Sequence, residues 1–214
     1  MLVNEIFSSI EGEGIRTGYP ATFIRLYGCN LNCSYCDTRY SCEGHDGTEM
    51  NVSEVIEKGK EVGVKKITLT GGEPLIHKNV EELVDELVNE GFEVNIETNG
   101  SVDIYPYTKK ENVIITMDYK LISSGMNDKM NERNFKYLRP QDVLKFVVGN
   151  KQDLDVMKEI LEVHKPNCNI FVSPVFEQIE PVEIVDYIKE NKLNDCRVQL
   201  QLHKIIWDRE ERGV

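Results

Sequence analysis

Apolar runs alternate with amphipathic segments along most of the chain. Six strands are predicted from the runs ATFIRLYGCN, KKITLTGG, FEVNIETNG, NVIITMDYK, DVLKFVVGN and NCNIFVSPVF, and a possible seventh from CRVQLQLHK. Helices are predicted from NVSEVIEKGKEVGV, KNVEELVDELVNEG, QDLDVMKEILEVHK and PVEIVDYIKENK. Strands that alternate with helices predict an α/β fold with a mainly parallel sheet, and the nearly continuous apolar strands predict that both of its faces are covered.

Chemically distinctive residues follow most of these predicted strands. They are Cys29 after the first strand, residues 71–74 after the second, residues 97–100 after the third, residues 118–120 after the fourth, and Ser173 with Pro174 after the sixth. Ligands of such folds bind at the carboxyl ends of the strands. The repetition therefore predicts one shared active face.

Composition and charge narrow the function classes. The 25 basic and 37 acidic residues give a net charge of −12, which argues against a nucleic-acid partner because such proteins usually carry a basic face. No run approaches the roughly 20 apolar residues of a membrane span, and the N-terminus lacks a signal-peptide pattern. We therefore expect one domain over residues 1–214, no membrane association, and a reducing cytoplasmic location.

Three of the six cysteines lie close together, at Cys29, Cys33 and Cys36. In a reducing compartment this grouping indicates metal binding before disulfides. A structural zinc site needs four ligands, and Cys42 or His45 is a candidate for the fourth. An iron–sulfur cubane held by three thiolates instead keeps one iron open for a ligand. Both interpretations remain open from the spacing alone.

Two motifs carry a resemblance to a known superfamily. The stretch CNLNCSYC resembles the cysteine signature of the radical S-adenosylmethionine (SAM) enzymes, and TGGEP resembles their second motif. The resemblance implies a partial, open β/α barrel of about six mainly parallel strands with few helices. It also implies a 4Fe-4S cluster on Cys29, Cys33 and Cys36. The open iron of that cluster would bind SAM, and one electron would cleave SAM to a 5′-deoxyadenosyl radical.

Longer stretches resemble one family within that superfamily, the 7-carboxy-7-deazaguanine synthases. They are FSSIEGEGIRTGYPATFIRLYGCNLNC, CDTRYSCEG, ETNGS, DYKLISSGM and the ending QLHKIIW…RGV, so the resemblance covers nearly the whole chain. It implies conversion of 6-carboxy-5,6,7,8-tetrahydropterin to 7-carboxy-7-deazaguanine with loss of ammonia, on the route to queuosine and other deazapurines. It further implies a magnesium ion, a homodimer, and a reductant such as flavodoxin or ferredoxin.

The same resemblance implies site residues. Those expected at the pterin are Ile10, Glu11, Gly12, Arg25, Thr70, His203 and Val214, and Thr38 is expected to bind magnesium. Those expected at SAM, with Glu97 and Asn99 placed there by their strand-end positions, are Tyr35, Cys36, Asp37, Gly72, Glu73, Glu97, Asn99, Asp118, Tyr119, Lys120, Ser173, Pro174, Val175 and Phe176. Many family members have glutamine where Glu11 stands, and SPK at residues 118–120. Either side chain accepts hydrogen bonds from the pterin's N–H groups, but only glutamine also donates, so this difference affects the donor pattern at the pterin.

Several of these residues have a purely structural alternative. Arg25 is a candidate for a surface ion pair, Thr38 for a turn or helix cap, and Asn99 for the turn that Asn-Gly sequences favour. His203 is a candidate structural histidine, and Val214 is a candidate frayed terminus. For Arg25 we favour the site, because an isolated arginine within an apolar strand is unusual.

Two other functions share parts of the pattern. An activase that makes a glycyl radical on a partner protein would carry the same cysteine spacing but would need no pterin pocket. A zinc-stabilised binding module would need neither SAM nor a substrate.

Overall fold

A nine-stranded sheet organises the chain in the computed structural model, which describes residues 1–43, 47–208 and 211–214. The strands are β1 (Leu2–Ile10), β2 (Pro20–Leu26), β3 (Thr48–Glu49), β4 (Lys66–Gly71), β5 (Glu93–Thr98), β6 (Val113–Tyr119), β7 (Val143–Val148), β8 (Asn169–Pro174) and β9 (Cys196–Val198). Their order across the sheet is β3-β1-β2-β4-β5-β6-β7-β8-β9. The sheet is open and mostly parallel, as the sequence predicted.

The six predicted strands and the possible seventh form the parallel part of the sheet, from β2 and β4 to β9. Strands β1 and β3 were not predicted, and they extend the sheet in antiparallel pairing. The pairing of β1 with β2 shifts register between Val3 and Glu5. Such an irregularity breaks the period of two from which strands are recognised, which explains why β1 escaped the sequence analysis.

Four long helices, α1 (Val52–Val62), α2 (Val80–Asn89), α4 (Lys151–His164) and α5 (Pro181–Glu190), cover the outer face of the sheet, and α3 (Tyr105–Thr108) and α6 (His203–Ile206) are short. Local sequence explains their ends. Asn51 and Glu54 form a reciprocal capping box before α1, and Gly63 ends it in a left-handed conformation. Among the described residues, no helix has the length and apolarity that crossing a membrane requires.

The two faces of the sheet differ in polarity. Apolar residues at alternate strand positions are fully buried under the helices, as Ile67, Leu69, Val94 and Ile96 show. The intervening positions lie on the opposite, inner face and are largely polar. They include Arg25, Thr68, Thr70, Asn95, Glu97, Thr116, Asp118, Lys145 and Ser173. The nearly continuous apolar runs predicted from the sequence therefore conceal a polar inner face.

The loop between β1 and β2 (residues 11–19, the β1–β2 loop) lies across the amino ends of the parallel strands. Arg16, which is only 6% exposed, donates hydrogen bonds to the carbonyl oxygens of Ile67 and Glu93, each at 3.3 Å. Glu13 of the same loop contacts Lys145 on β7. The β1–β2 loop therefore contacts β4, β5 and β7. Because one short loop spans these strands, the sheet curves around its inner face.

The C-terminal segment (residues 199–208 and 211–214) follows the edge strand β9 and contacts the β1–β2 loop. The Gln199 side chain accepts from Gly14 N at 2.6 Å and donates to Thr17 Oγ1 at 2.7 Å. Further along, the guanidinium of Arg212 lies 4.0 Å from the ring centroid of Tyr40, a residue beyond β2. The segment thus bridges the two sides of the open sheet.

A buried carboxylate connects three segments at the start of β6. Asp142 is fully buried, accepts from Ile115 N at 2.9 Å, and pairs with the Arg139 guanidinium at 2.8 Å. Arg139 also donates to the carbonyl oxygens of Thr108 and Val113, each at 2.7 Å. Removal of the carboxylate would leave a partly buried guanidinium and a buried N–H without their acceptor.

We therefore predict that Asp142→Ala lowers the free energy of unfolding by about 3 kcal/mol, the usual cost of breaking a buried ion pair. Urea unfolding measures the difference. Asp186→Ala is the control, because Asp186 is exposed and pairs with Lys189 at 3.8 Å within one helix, where about 0.5 kcal/mol is expected. Equal losses in the two variants would contradict the assignment of Asp142.

Candidate active site

The loop that follows β2 (residues 29–36, the cysteine loop) carries the three grouped cysteines. Ser34 fixes it to the segment after β6, by donating from its N to Ser124 O at 3.0 Å and from its hydroxyl to Ser123 O at 2.6 Å. Arg39 donates to Cys33 O at 3.1 Å, and Cys36 N donates to the same oxygen at 3.3 Å. Backbone contacts therefore hold the loop over the carboxyl end of the sheet.

The three thiols lie near one another and are partly shielded. Burial raises the pKa of Cys33; Lys120 opposes this, while Asp118, Cys36 and Cys29 add to it. The sulfur of Cys29 accepts from Leu31 N at 3.4 Å and from Asn99 Nδ2 at 3.7 Å. These three shielded thiols and their N–H donors fit an iron–sulfur cluster, whose sulfur ligands accept hydrogen bonds.

A compact zinc site fits less well. Zinc ligands converge on one ion at about 2.0–2.3 Å, and within residues 1–43, 47–208 and 211–214 no group of three His, Cys, Asp or Glu side chains is found that could hold one metal ion. The three thiolates of a cubane bind different irons and therefore stand further apart. Cys42 hydrogen-bonds Cys29, whereas His45, the other proposed fourth ligand, lies outside the described residues.

Two glycines let the end of β4 approach the cysteine loop. A Cβ on Gly71 would lie 2.1 Å from Leu26 O, and Gly71 has φ = +148°, a conformation that other residues rarely adopt. A Cβ on Gly72 would lie 2.2 Å from Gly28 O. The backbone of the TGGEP motif therefore lies directly beside Cys29, which agrees with the expected SAM contact of Gly72.

Glu73 connects two strand ends inside the protein. It is fully buried and accepts from Leu75 N at 3.0 Å, Thr98 Oγ1 at 2.8 Å and Asn99 N at 2.6 Å. Burial raises the pKa of Glu73 to about 7. These contacts orient Asn99, whose side chain donates to Asn30 Oδ1 at 3.1 Å and to Cys29. Asn99 therefore faces the cysteine loop, and its contact with SAM stays a prediction.

A chain of ion pairs crosses the inner face. Lys145 contacts Glu13 at 2.7 Å and Asp118 at 3.6 Å, and Asp118 contacts Lys120 at 2.8 Å. The second Asp118 oxygen, Oδ1, and the hydroxyl of Tyr35 are buried without a hydrogen-bond partner among the described residues. Unpaired buried polar atoms are costly, so they indicate where a ligand completes the site.

Glu11 is buried at the amino end of this face and is 2% exposed. It accepts a hydrogen bond from Thr68 Oγ1. Burial, then nearby Glu97, raises the pKa of Glu11 to about 7, while Thr68 and Arg16 oppose the rise. A protonated Glu11 donates as well as accepts, as the glutamine of many relatives does. Burial likewise raises the pKa of Glu97, which bonds Thr70.

Arg25 forms an ion pair, but on the inner face rather than the outer surface. Its Nε donates to Glu5 Oε1 at 2.7 Å, and its side chain is 14% exposed. The guanidinium lies 6.0 Å from the Phe7 ring and 5.9 Å from the Tyr40 ring, and Tyr40 donates to the same Glu5 oxygen at 2.8 Å. Because Arg25 is the sheet neighbour of Thr70, the two proposed pterin residues share one face.

The C-terminal segment brings further predicted residues to the site. His203 Nδ1 lies against Gly12, where a Cβ would approach it to 2.6 Å. Lys204 pairs with Asp37 at 3.0 Å, next to the cysteine loop. Burial lowers the pKa of His203, which favours its neutral form. Val214 is half-buried.

The positions of the other predicted residues give less support for a role in the site. Ile10 ends β1, and Thr38 Oγ1 lies 3.8 Å from Cys36 Sγ just before a short 3-10 turn. The side chain of Tyr119 packs in the core against Phe135 and Phe146, so it does not face the other site residues. The four predicted residues at the end of β8 differ in burial: Ser173 and Val175 are buried, Pro174 is half-buried, and Phe176 is exposed.

The sequence analysis missed five residues of the inner face. They are Glu13, Thr68, Asn95, Thr116 and Lys145. A signal for the strand residues was present, because polar residues alternate with apolar ones in KITLTG, EVNIET and VIITMDY. Because these runs are apolar overall, they were interpreted as buried on both faces, and the alternation was not used.

Comparisons with known proteins agree with this geometry. The model of the radical SAM superfamily matches residues 23–145. A 7-carboxy-7-deazaguanine synthase of Clostridium acetobutylicum is 46% identical, over 99% of this chain and 98% of the relative. A protein of the same name from Methanospirillum hungatei is 43% identical, over 96% of this chain and 85% of the relative.

Solved structures show the same architecture. The crystal structure of QueE from Escherichia coli superposes with a TM-score of 0.76 at 25% identity, covering 94% of this chain and 93% of the other. The structure of TYW1 with a lysine-pyruvate adduct bound has a TM-score of 0.57 at 14% identity, covering 82% of this chain and 74% of the other. The second likeness concerns the fold alone.

The raised pKa of Glu11 predicts how pH affects stability. The pKa rises from about 4.5 to about 7 on folding, so between these values the folded protein holds a proton that the unfolded chain has lost. Glu11 is therefore destabilising as pH rises through this window, by up to about 3 kcal/mol. We predict that Glu11→Gln becomes more stable relative to the parent protein between pH 5 and pH 8.

Urea unfolding at pH 5, 6, 7 and 8 tests this prediction. Glu82→Gln is the control, because Glu82 is exposed on α2, and its stability difference from the parent should not change with pH. A pH-independent difference for Glu11→Gln would mean that Glu11 is ionised throughout and would contradict the assignment.

Proposed function

Because the chain belongs to the 7-carboxy-7-deazaguanine synthase family of the radical SAM superfamily, we propose that it converts 6-carboxy-5,6,7,8-tetrahydropterin to 7-carboxy-7-deazaguanine with loss of ammonia. The observation that carries this proposal is the placement of three grouped thiols over a polar, charge-lined inner face. A radical source at these thiols would therefore lie beside a face whose polar groups suit a polar ring.

Cys29, Cys33 and Cys36 would hold a 4Fe-4S cluster. A cluster held there would supply the electron for reductive cleavage of SAM and leave one iron open to bind it. The backbone at Gly72, the unpaired Asp118 Oδ1 and the Tyr35 hydroxyl are available to hold SAM beside it.

The pterin would lie deeper, against the inner face. Its carboxylate would pair with Arg25, whose planar guanidinium suits a forked double hydrogen bond. Glu11 and Glu97 would contact the polar edge of the pterin ring, with Glu11 in its protonated, donating form near neutral pH. Thr70, the sheet neighbour of Arg25, and Gly12 with His203 packed against it would contact the same ring.

The C-terminal segment would exclude water from the reacting atoms. It contacts Gly12, Asp37 and Tyr40, which lie on different sides of the site. A primary carbon radical takes hydrogen from any nearby donor, so the site must be closed while it exists. Val214 would contact the substrate at this closed side.

We also propose magnesium at Thr38, a homodimer, a flavodoxin- or ferredoxin-type reductant and a cytoplasmic location. The hydroxyl of Thr38 is a hard oxygen donor of the kind magnesium prefers. The glycyl-radical activase and the zinc-stabilised module find no comparable support, because the curated relatives described above share nearly the whole chain with this protein.

Anaerobic turnover tests this function. With reconstituted protein, a low-potential reductant, SAM, magnesium and the carboxytetrahydropterin, we expect 7-carboxy-7-deazaguanine by mass spectrometry. Cys36→Ala should reduce product to the level of a blank without enzyme, while Cys196→Ala, at the far edge of the sheet, should retain it. Cleavage of SAM without any deazaguanine would refute the substrate and leave the radical class standing.

A further inference from the structure

Lys145 is a buried cation at the centre of the inner face. It lies on β7, its side chain is 10% exposed, and the Glu13 and Asp118 carboxylates contact it from different elements. Glu13 belongs to the β1–β2 loop, beside the proposed pterin residues. Asp118 ends β6, beside the cysteine loop and Tyr35. One ammonium group therefore connects the two halves of the proposed site.

Each carboxylate offers only one of its oxygens to Lys145. Glu13 uses Oε2, and its Oε1 has a weak contact with Ser173 Oγ at 3.5 Å. Asp118 uses Oδ2 for both Lys145 and Lys120, and its buried Oδ1 lacks a partner among the described residues. Both carboxylates thus keep an acceptor available while the other oxygen fixes their orientation.

A merely structural role would not require this arrangement. Burying ionised groups costs more than an apolar replacement of similar shape, and the cost falls when every lone pair is matched. Here the matching is incomplete at Oδ1 of Asp118, which a purely structural network would avoid. A carboxylate with one oxygen held by lysines and the other without a hydrogen-bond partner is preorganised to accept a hydrogen bond from a ligand.

We infer that Lys145 is a positioning residue, which holds Glu13 toward the pterin and Asp118 toward SAM. Without it, Glu13 would lose the hydrogen bond that orients it. Asp118 would keep Lys120 but lose the second of its two cations, and the carboxylates of Glu13, Asp118 and Glu97 would repel one another across the inner face. Loss of Lys145 should therefore weaken binding of two different ligands at once. This inference rests on the proposed function for the identity of those ligands.

The test compares Lys145→Met with the parent protein, each reconstituted anaerobically. We expect Lys145→Met to raise both the Kd for SAM, by anaerobic calorimetry, and the KM for the pterin, each by roughly tenfold, because the charge-assisted hydrogen bond to Glu13 and the ion pair with Asp118 are lost. Deoxyadenosine should also form in excess over deazaguanine, since a misplaced pterin intercepts the radical poorly. Lys145→Arg keeps the charge and should restore both constants in part.

Lys60→Met is the matched control, because Lys60 pairs with Glu90 at 3.0 Å on the exposed side of α1. It should leave both binding constants unchanged. If Lys145→Met lowers the melting temperature while the folded protein binds both ligands as the parent does, the role is structural and the inference is wrong. Failure of the parent protein to form deazaguanine would instead refute the proposed function.

Discussion

The pairing of charges on the inner face is the constraint on which the rest of the molecule depends. Glu13, Asp118 and Lys145 are largely withdrawn from water, and buried charges persist only when they are paired. That pairing ties the β1–β2 loop to strands on the far side of the sheet. The loop in turn receives the C-terminal segment through Gln199, so the closure of the site follows from the same contacts.

The sequence predicted the parallel strands well, because a strand such as β7 is a short apolar run that differs from its neighbours. The cysteine loop was equally predictable, since its spacing is local. The bridging of the open sheet by the C-terminal segment was not predictable. Contacts such as Gln199 with Gly14, or Arg212 with Tyr40, join residues far apart in sequence, and no local pattern encodes them.

The polar inner face was not predicted, because the strands were identified as runs of apolar residues, and this criterion overlooks polar residues within a run. A strand with one apolar and one polar face alternates, but in β6 the polar positions, Thr116 and Asp118, stand among five apolar residues. Lys145 is the single charge in β7. The argument that an isolated charge within an apolar strand indicates a functional site was applied only to Arg25, although it applies equally to Lys145.

The central claim is that three cysteines, and no fourth protein ligand, hold the cluster. Cys42 contacts Cys29, so it is the side chain most able to contradict the claim. Electron–nuclear double resonance of the reduced protein with SAM labelled by ¹⁷O in its carboxylate and ¹⁵N in its amino group tests it directly. Coupling of both labels to the cluster is predicted. Absence of both couplings, with Cys42→Ala restoring them, would show that Cys42 occupies the fourth iron and would contradict the account.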